Sequence, residues 1–206
     1  MHNKKILSAG KALKDVSKAL ILVHGRGGSA EDILSLASHL NVKDFALLAP
    51  EATGNTWYPY SFLAPQAQNE PYLSSALQIL TETVSDLTSQ GIKEDSIYFL
   101  GFSQGACLTL EFVARNAKRY GGVIAFTGGL IGDKINTSNY SGDFAGTPVF
   151  MGTSDPDPHI PVERFQETVR LIESMHAQVT AKVYPGMGHT INQDEINVAN
   201  QVVFKQ

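Results

Sequence analysis

The run Leu20-Ile21-Leu22-Val23 has no polar position that could face solvent. A strand of this kind must be covered on both faces, as strands are inside a parallel sheet. It is the centre of the first of six short β-branched or aromatic runs, at Ala19–His24, Phe45–Ala49, Ile97–Phe102, Val123–Thr127, Val149–Thr153 and Val179–Tyr184. Between and after them lie helical patterns at Ala30–Leu40, Leu73–Gln90, Gln104–Arg119, Val162–His176 and Gln193–Phe204. Strand-helix alternation implies right-handed crossovers and a doubly wound, mostly parallel α/β sheet with helices on both faces. The Lys5–Leu13 segment can add one or two edge strands. A chain of 206 residues suits one domain, residues 1–206, with no separate lid domain.

Two stretches break the alternation. Thr53–Tyr72 carries Trp57-Tyr58-Pro59-Tyr60 and is too aromatic for a plain solvated loop, and Gly128–Gly146 has Leu130 and Ile131 near its start. Both follow strands, at the sheet edge where α/β proteins bind ligands. Each therefore reads either as a pocket wall or as a loop packed over the core. Trp57, Tyr58, Leu130 and Ile131 are the pocket candidates.

Gly101-Phe102-Ser103-Gln104-Gly105 lies between the apolar run ending at Leu100 and the helix formers from Ala106. Strand, sharp glycine turn and helix form a nucleophile elbow, which lifts a serine hydroxyl above the sheet edge. Flanking glycines remove the Cβ atoms that would collide in so tight a turn. A serine hydroxyl is a poor nucleophile at neutral pH, so a base must take its proton. Of six histidines, His2 is terminal, and His39 and His176 fall on expected helix faces. His189 follows a strand in Gly186-Met187-Gly188-His189, where it can reach the same edge as Ser103. A carboxylate must then orient the imidazole. Asp155 and Asp157 compete for that role after the strand ending at Thr153.

The oxyanion of an acyl-transfer intermediate needs two aimed donors. The Gln104 backbone N–H, at a helix start, is one. The other is expected from His24-Gly25-Arg26-Gly27-Gly28, with the Arg26 N–H as donor. Cys107, one turn after Ser103, reads as a packing residue. The same loop also satisfies G-x-G-x-x-A over Gly25–Ala30, with Glu51 at the distance of a ribose-binding acid. That dinucleotide-binding reading leaves the elbow, the aspartates and His189 without roles. A non-catalytic binding protein on the same fold is a further alternative.

Bulk properties narrow the partners. Sixteen basic against 20 acidic residues give a net charge of −4, with no case for nucleic acid. No apolar run approaches a membrane span, and none follows the basic start to form a secretory signal. The single cysteine excludes an internal disulfide and fits a cytoplasmic location. No histidine or cysteine spacing suggests a metal, and no P-loop occurs. The expected partner is a small ester or thioester substrate, and oligomeric state is not legible.

His24-Gly25-Arg26-Gly27, Gly101-Phe102-Ser103-Gln104-Gly105, Asp157-Pro158-His159-Ile160-Pro161 and Gly188-His189 resemble the phospholipase/carboxylesterase family, small α/β-hydrolases that include acyl-protein thioesterases. The resemblance implies a lidless, cofactor-free serine esterase acting on carboxylic esters, lysophospholipids or thioesters through an acyl-enzyme. It assigns Ser103, Asp157 and His189 as the triad and Arg26 and Gln104 as oxyanion donors. Family members often have leucine where this chain has Arg26, which implies a more polar pocket mouth. The extra Asp155-Pro156 lengthens the loop before Asp157. Dienelactone hydrolases share the fold but carry a cysteine nucleophile.

Overall fold

The computed structural model describes residues 1–204. Seven strands, β1 Ile6–Gly10, β2 Ala19–Val23, β3 Ala46–Pro50, β4 Ile97–Phe102, β5 Gly122–Phe126, β6 Pro148–Asp155 and β7 Gln178–Pro185, form one sheet. Their order is β1-β3-β2-β4-β5-β6-β7. Only β1 runs antiparallel, against β3. The other neighbours pair in parallel, as between β2 and β4 from Ala19↔Ile97 to Val23↔Gly101. The N-terminal segment thus supplies one edge strand. The helices are α1 Ala30–Ser35, α2 Gln66–Asn69, α3 Tyr72–Ser89, α4 Gln104–Arg115, α5 Val162–Ser174 and α6 Gln193–Val202.

β2 explains its own composition. Ala19, Ile21 and Val23 face a core shared with α3, α4 and α5, while Leu20 and Leu22 face a second core shared with α1 and α6. All five residues are fully buried. Alternate positions serve opposite cores, so no polar position survives. At the edge of the sheet, β7 shows alternating exposure instead.

All five expected helices end earlier than their apolar patterns suggest, α3 at Ser89 and α6 at Val202. α1 tightens into a 3-10 turn at Leu36–His39. α4 stops at Arg115 rather than Arg119, because Ala117 leaves the helix to bridge Gly142 and accepts a 3.2 Å bond from the Asp143 amide. α5 ends at Ser174 because His176 takes a φ of 64°, outside the helical region. The short α2 lies inside the Thr53–Tyr72 stretch, which contains no apolar periodicity to announce it.

One buried carboxylate on this frame has a measurable consequence. Glu195 on α6 closes a capping box with Asn192, accepting its amide at 2.9 Å, and its other oxygen is buried without a partner against Gly152 of β6. Burial pushes its pKa up to about 7, beyond what the Asn192 amide offsets. Between the ordinary value of 4.5 and about 7 the folded state binds more protons than the unfolded one. Stability therefore falls as pH rises through that window. Glu195→Gln keeps the cap and removes the titration. The variant is expected to be more stable than the parent at pH 8, by on the order of 2–3 kcal/mol, with the difference closing toward pH 5. Denaturant melts at the two pH values measure it.

Candidate active site

The elbow joins β4 to α4. Ser103 adopts φ 55° and ψ −119°, a conformation L-residues rarely occupy. Its N–H donates to Phe126 O at 3.0 Å, and its carbonyl accepts from Cys107 N at 3.0 Å, so the backbone is held on both sides. Both flanking glycines are required by contact. A Cβ on Gly101 would strike the backbone of Gly105, and one on Gly105 would strike the carbonyls of Val23 and His24 at the end of β2. The elbow is pressed directly onto the loop that follows β2.

His189 reaches Ser103 from beyond β7. Gly186 (φ 63°) and Gly188 (φ 77°) turn the chain there. Two bonds tie the turn to the end of β6: Gly186 N to Asp155 O at 2.8 Å, and Gly188 N to Ser154 Oγ at 2.9 Å. The His189 Nε2 lies 2.8 Å from Ser103 Oγ, and Nδ1 lies 2.9 Å from Asp157 Oδ2. The Asp157 side chain is fully buried, while that of His189 is 19% exposed. Because a carboxylate only accepts, Nδ1 carries the proton and Nε2 accepts from the serine. Phe102 packs against the imidazole at 5.4 Å, and His159 meets it edge-on at 4.8 Å.

Of the two competing aspartates, only Asp157 meets the histidine. Asp157 Oδ1 also accepts from the amides of His159 (2.7 Å) and Ile160 (2.9 Å). Burial works against its ionisation, but the His159 amide, His189 and the Ile160 amide outweigh it and hold its pKa below the ordinary value. Asp155 is exposed as the last residue of β6, opposite Pro185.

The loop after β2 lies across from the elbow. Gly27 N donates to Asn55 O at 2.7 Å, and Gly28 N donates to Gly25 O at 3.1 Å. Those amides are therefore not free for a phosphate. Glu51 pairs with Lys5 and accepts from Ala30 N at 3.4 Å, so it acts at the α1 N-terminus rather than on a ribose. The dinucleotide reading fails on both counts. The Arg26 guanidinium also departs from expectation. It donates to the carbonyls of Tyr58 (2.9 Å), Pro59 (3.0 Å) and Tyr60 (2.8 Å), so it clamps a loop instead of offering a free charge at the mouth. The Gln104 side chain grips the same loop, accepting from Trp57 N at 2.9 Å and donating to Tyr58 O at 2.8 Å. The Gln104 amide, first in α4, has no acceptor within its own helix.

A cleft of about 600 Å³ opens over Ser103 and His189, walled by the clamped Tyr58–Leu63 segment on one side and Pro158–Pro161 on the other. Of the four pocket candidates, Tyr58 alone lines it. Trp57 is fully buried, its indole N–H donating to His24 O at 2.8 Å. Leu130 and Ile131 are equally buried, and their loop is a core cap. Buried Glu111 accepts from Ile131 N at 3.0 Å, and Arg164 donates to Leu130 O at 3.0 Å and to Gly132 O. Apolar side chains after a strand suit either position, and only these buried polar anchors decide it. Cys107 sits at the cleft floor, but burial pushes its thiol up to about 12, so it is not a thiolate.

Sequence reasoning missed the clamp side chains of Arg26 and Gln104, the Ser154 hydroxyl, and the rings of Phe102 and His159. The last two lie within quoted motifs. Ser154 carried no signal, since its role depends on β6 and β7 being neighbours. No helix among the described residues is long and apolar enough to cross a membrane.

Known proteins share this fold. A crystal structure of a phospholipase/carboxylesterase from Dyadobacter fermentans matches with a TM-score of 0.98 and 53% identity, covering 99% of this chain and 98% of that one. A probable carboxylesterase SOBER1-like of Arabidopsis thaliana is 26% identical over 215 residues, 94% of this chain and 82% of the relative. Acyl-protein thioesterase 1 of Saccharomyces cerevisiae is 26% identical over 216 residues, 92% and 93% of the two chains. With the phospholipase/carboxylesterase family model also matching residues 4–205, nearly its whole length, the chain belongs to that family of α/β-hydrolases.

Proposed function

We propose that the protein hydrolyses carboxylic esters and thioesters of small to medium acyl groups through an acyl-enzyme on Ser103. The observation that carries the reading is the continuous hydrogen-bond chain from Ser103 Oγ through His189 to Asp157, at 2.8 and 2.9 Å, opening into one cleft. In this mechanism His189 Nε2 takes the hydroxyl proton as Oγ attacks the acyl carbonyl carbon. The electron pair of the carbonyl moves onto its oxygen, held by the Gln104 and Arg26 amides. The His189 cation, steadied by Asp157, then protonates the leaving alcohol or thiol as its bond to carbon breaks. Water, deprotonated by the same nitrogen, attacks the acyl carbon, and His189 returns that proton to Ser103 Oγ as the acyl–Oγ bond breaks and the acid leaves. Each oxyanion donor accounts for about 10²–10³ in rate, with no cofactor in the scheme.

The cleft volume lies within the ~300–1,000 Å³ usual for sites that hold a drug-sized ligand, which favours small and medium acyl groups. A cytoplasmic setting suits the single buried cysteine. The test is an acyl-chain series of p-nitrophenyl esters run beside the matching thioesters, with fluorophosphonate labelling of the protein. Turnover that peaks at short or medium chains, with one label on Ser103, is expected. Absence of both turnover and labelling would overturn the reading and leave a binding protein on this fold.

A further inference from the structure

Behind the loop after β2 lies a second pocket of about 240 Å³, walled by His24, Ile33, Leu36, Phe102 and Ile191. It shares Gly25, Arg26 and Phe102 with the catalytic cleft, so the two spaces adjoin along the loop after β2. Its walls come from α1, β4 and the residues just before α6. Leu36, Phe102 and Ile191 stay partly exposed around it, although each packs against an apolar core.

Its chemistry is one-sided. Two of the polar side chains near it, His24 and Asp32, are already bonded within the protein. His24 Nδ1 lies 2.8 Å from Gly25 O and Nε2 accepts from Ala52 N at 3.1 Å, while burial keeps the ring neutral. Asp32 Oδ2 accepts from both the amide and the hydroxyl of Ser29. Walled mainly by Ile33, Leu36, Phe102 and Ile191, the pocket favours hydrocarbon. At 240 Å³ it is smaller than a site for a whole ligand, so it holds part of a substrate bonded at Ser103. At interior packing density, about 25 Å³ per methylene, that part is a chain of about eight to ten carbons.

Position decides which part. Phe102, the shared wall, packs against the His189 imidazole, and Ile191 follows that histidine by two residues. The pocket therefore flanks the base, where the departing alcohol or thiol must collect its proton. The Tyr58–Leu63 and Pro158–Pro161 walls are left for the acyl group. Resting on the hydrolase reading above, we infer that this pocket selects the leaving group and takes an alkyl chain of up to about eight to ten carbons on the alcohol or thiol side of the ester.

The experiment pairs two series at fixed pH: alkyl acetates from methyl to dodecyl followed by acid release, and p-nitrophenyl esters of increasing acyl length. Parent kcat/KM is expected to rise by up to about fourfold per methylene of the alcohol and to level off near octyl to decyl. Leu36→Trp, which fills the pocket from its exposed rim, should flatten the alcohol series while the acyl series keeps its slope. Ile191→Ala, which enlarges it, should move the plateau to longer alcohols and provides the test if the tryptophan variant does not fold. An alcohol series that is flat in the parent, or variants that alter the acyl slope instead, overturns the inference. Failure to hydrolyse any ester in either series, with no fluorophosphonate label, sinks the underlying hydrolase reading, a distinguishable result.

Discussion

Ser103→Ala is expected to lower kcat on p-nitrophenyl acetate by about 10⁴–10⁶-fold while the protein stays folded. The size follows from the geometry. Ser103 Oγ is the one hydroxyl 2.8 Å from a histidine whose other nitrogen is bound to a buried carboxylate. Without it, His189 has no covalent partner to activate and can act only on water. The residual rate reflects the oxyanion amides and binding in the cleft. The fold should survive because alanine tolerates the φ of 55° no worse than serine does, and the Phe126 and Cys107 backbone bonds do not involve the hydroxyl. Melting temperature and fluorophosphonate labelling separate the two effects: an unchanged melt with no label supports the nucleophile. A variant within tenfold of the parent, or one still fully labelled, would move the nucleophile elsewhere.

What was legible in the sequence divides along physical lines. Strands and helices showed because burial imposes a period on local composition, as in β2, where every position is apolar since every position is inside. The elbow was legible because its glycines answer to collisions within a few residues. Gly105 is the exception: its need comes from Val23 and His24, some eighty residues away, and only the motif carried it. The bonds of Asp157 to His159 and Ile160 were also local, yet residue counting could not separate Asp157 from Asp155. Their spacing is compatible with either, and the choice rests on which carboxylate turns back under the histidine. The pocket walls were the least legible. Trp57 and Tyr58 are adjacent and both aromatic, but the Gln104 and Arg26 side chains draw their carbonyls and amide inward so that only Tyr58 borders the cleft. Nothing in local composition announces a clamp made by residues thirty to forty-seven positions away.

Asp157→Asn is expected to cost about 10⁴ in kcat with little change in KM, far more than Asp155→Asn, which should stay within a few-fold of the parent. The argument concerns proton placement rather than charge alone. The His159 and Ile160 amides point at Oδ1, at 2.7 and 2.9 Å, so an asparagine would keep its carbonyl oxygen there. Its NH₂ would then face His189 Nδ1. Two donors cannot share that bond, so Nδ1 would give up its hydrogen and Nε2 would carry it. The imidazole would then donate to Ser103 Oγ, leaving no lone pair for the hydroxyl proton. Asp155 has no such hold on the ring, being exposed at the end of β6 and bonded through its backbone carbonyl to Gly186. The same bonds that lower the Asp157 pKa add stability that is full above the ordinary carboxylate value of about 3.9 and is lost as pH falls through the lower folded value. The asparagine variant should therefore lose less stability than the parent as pH falls below the ordinary carboxylate value, even as its activity at neutral pH collapses. Equal losses of kcat in the two aspartate variants, or the larger loss in Asp155→Asn, would transfer the orienting role and require the loop at residues 155–161 to rearrange during turnover.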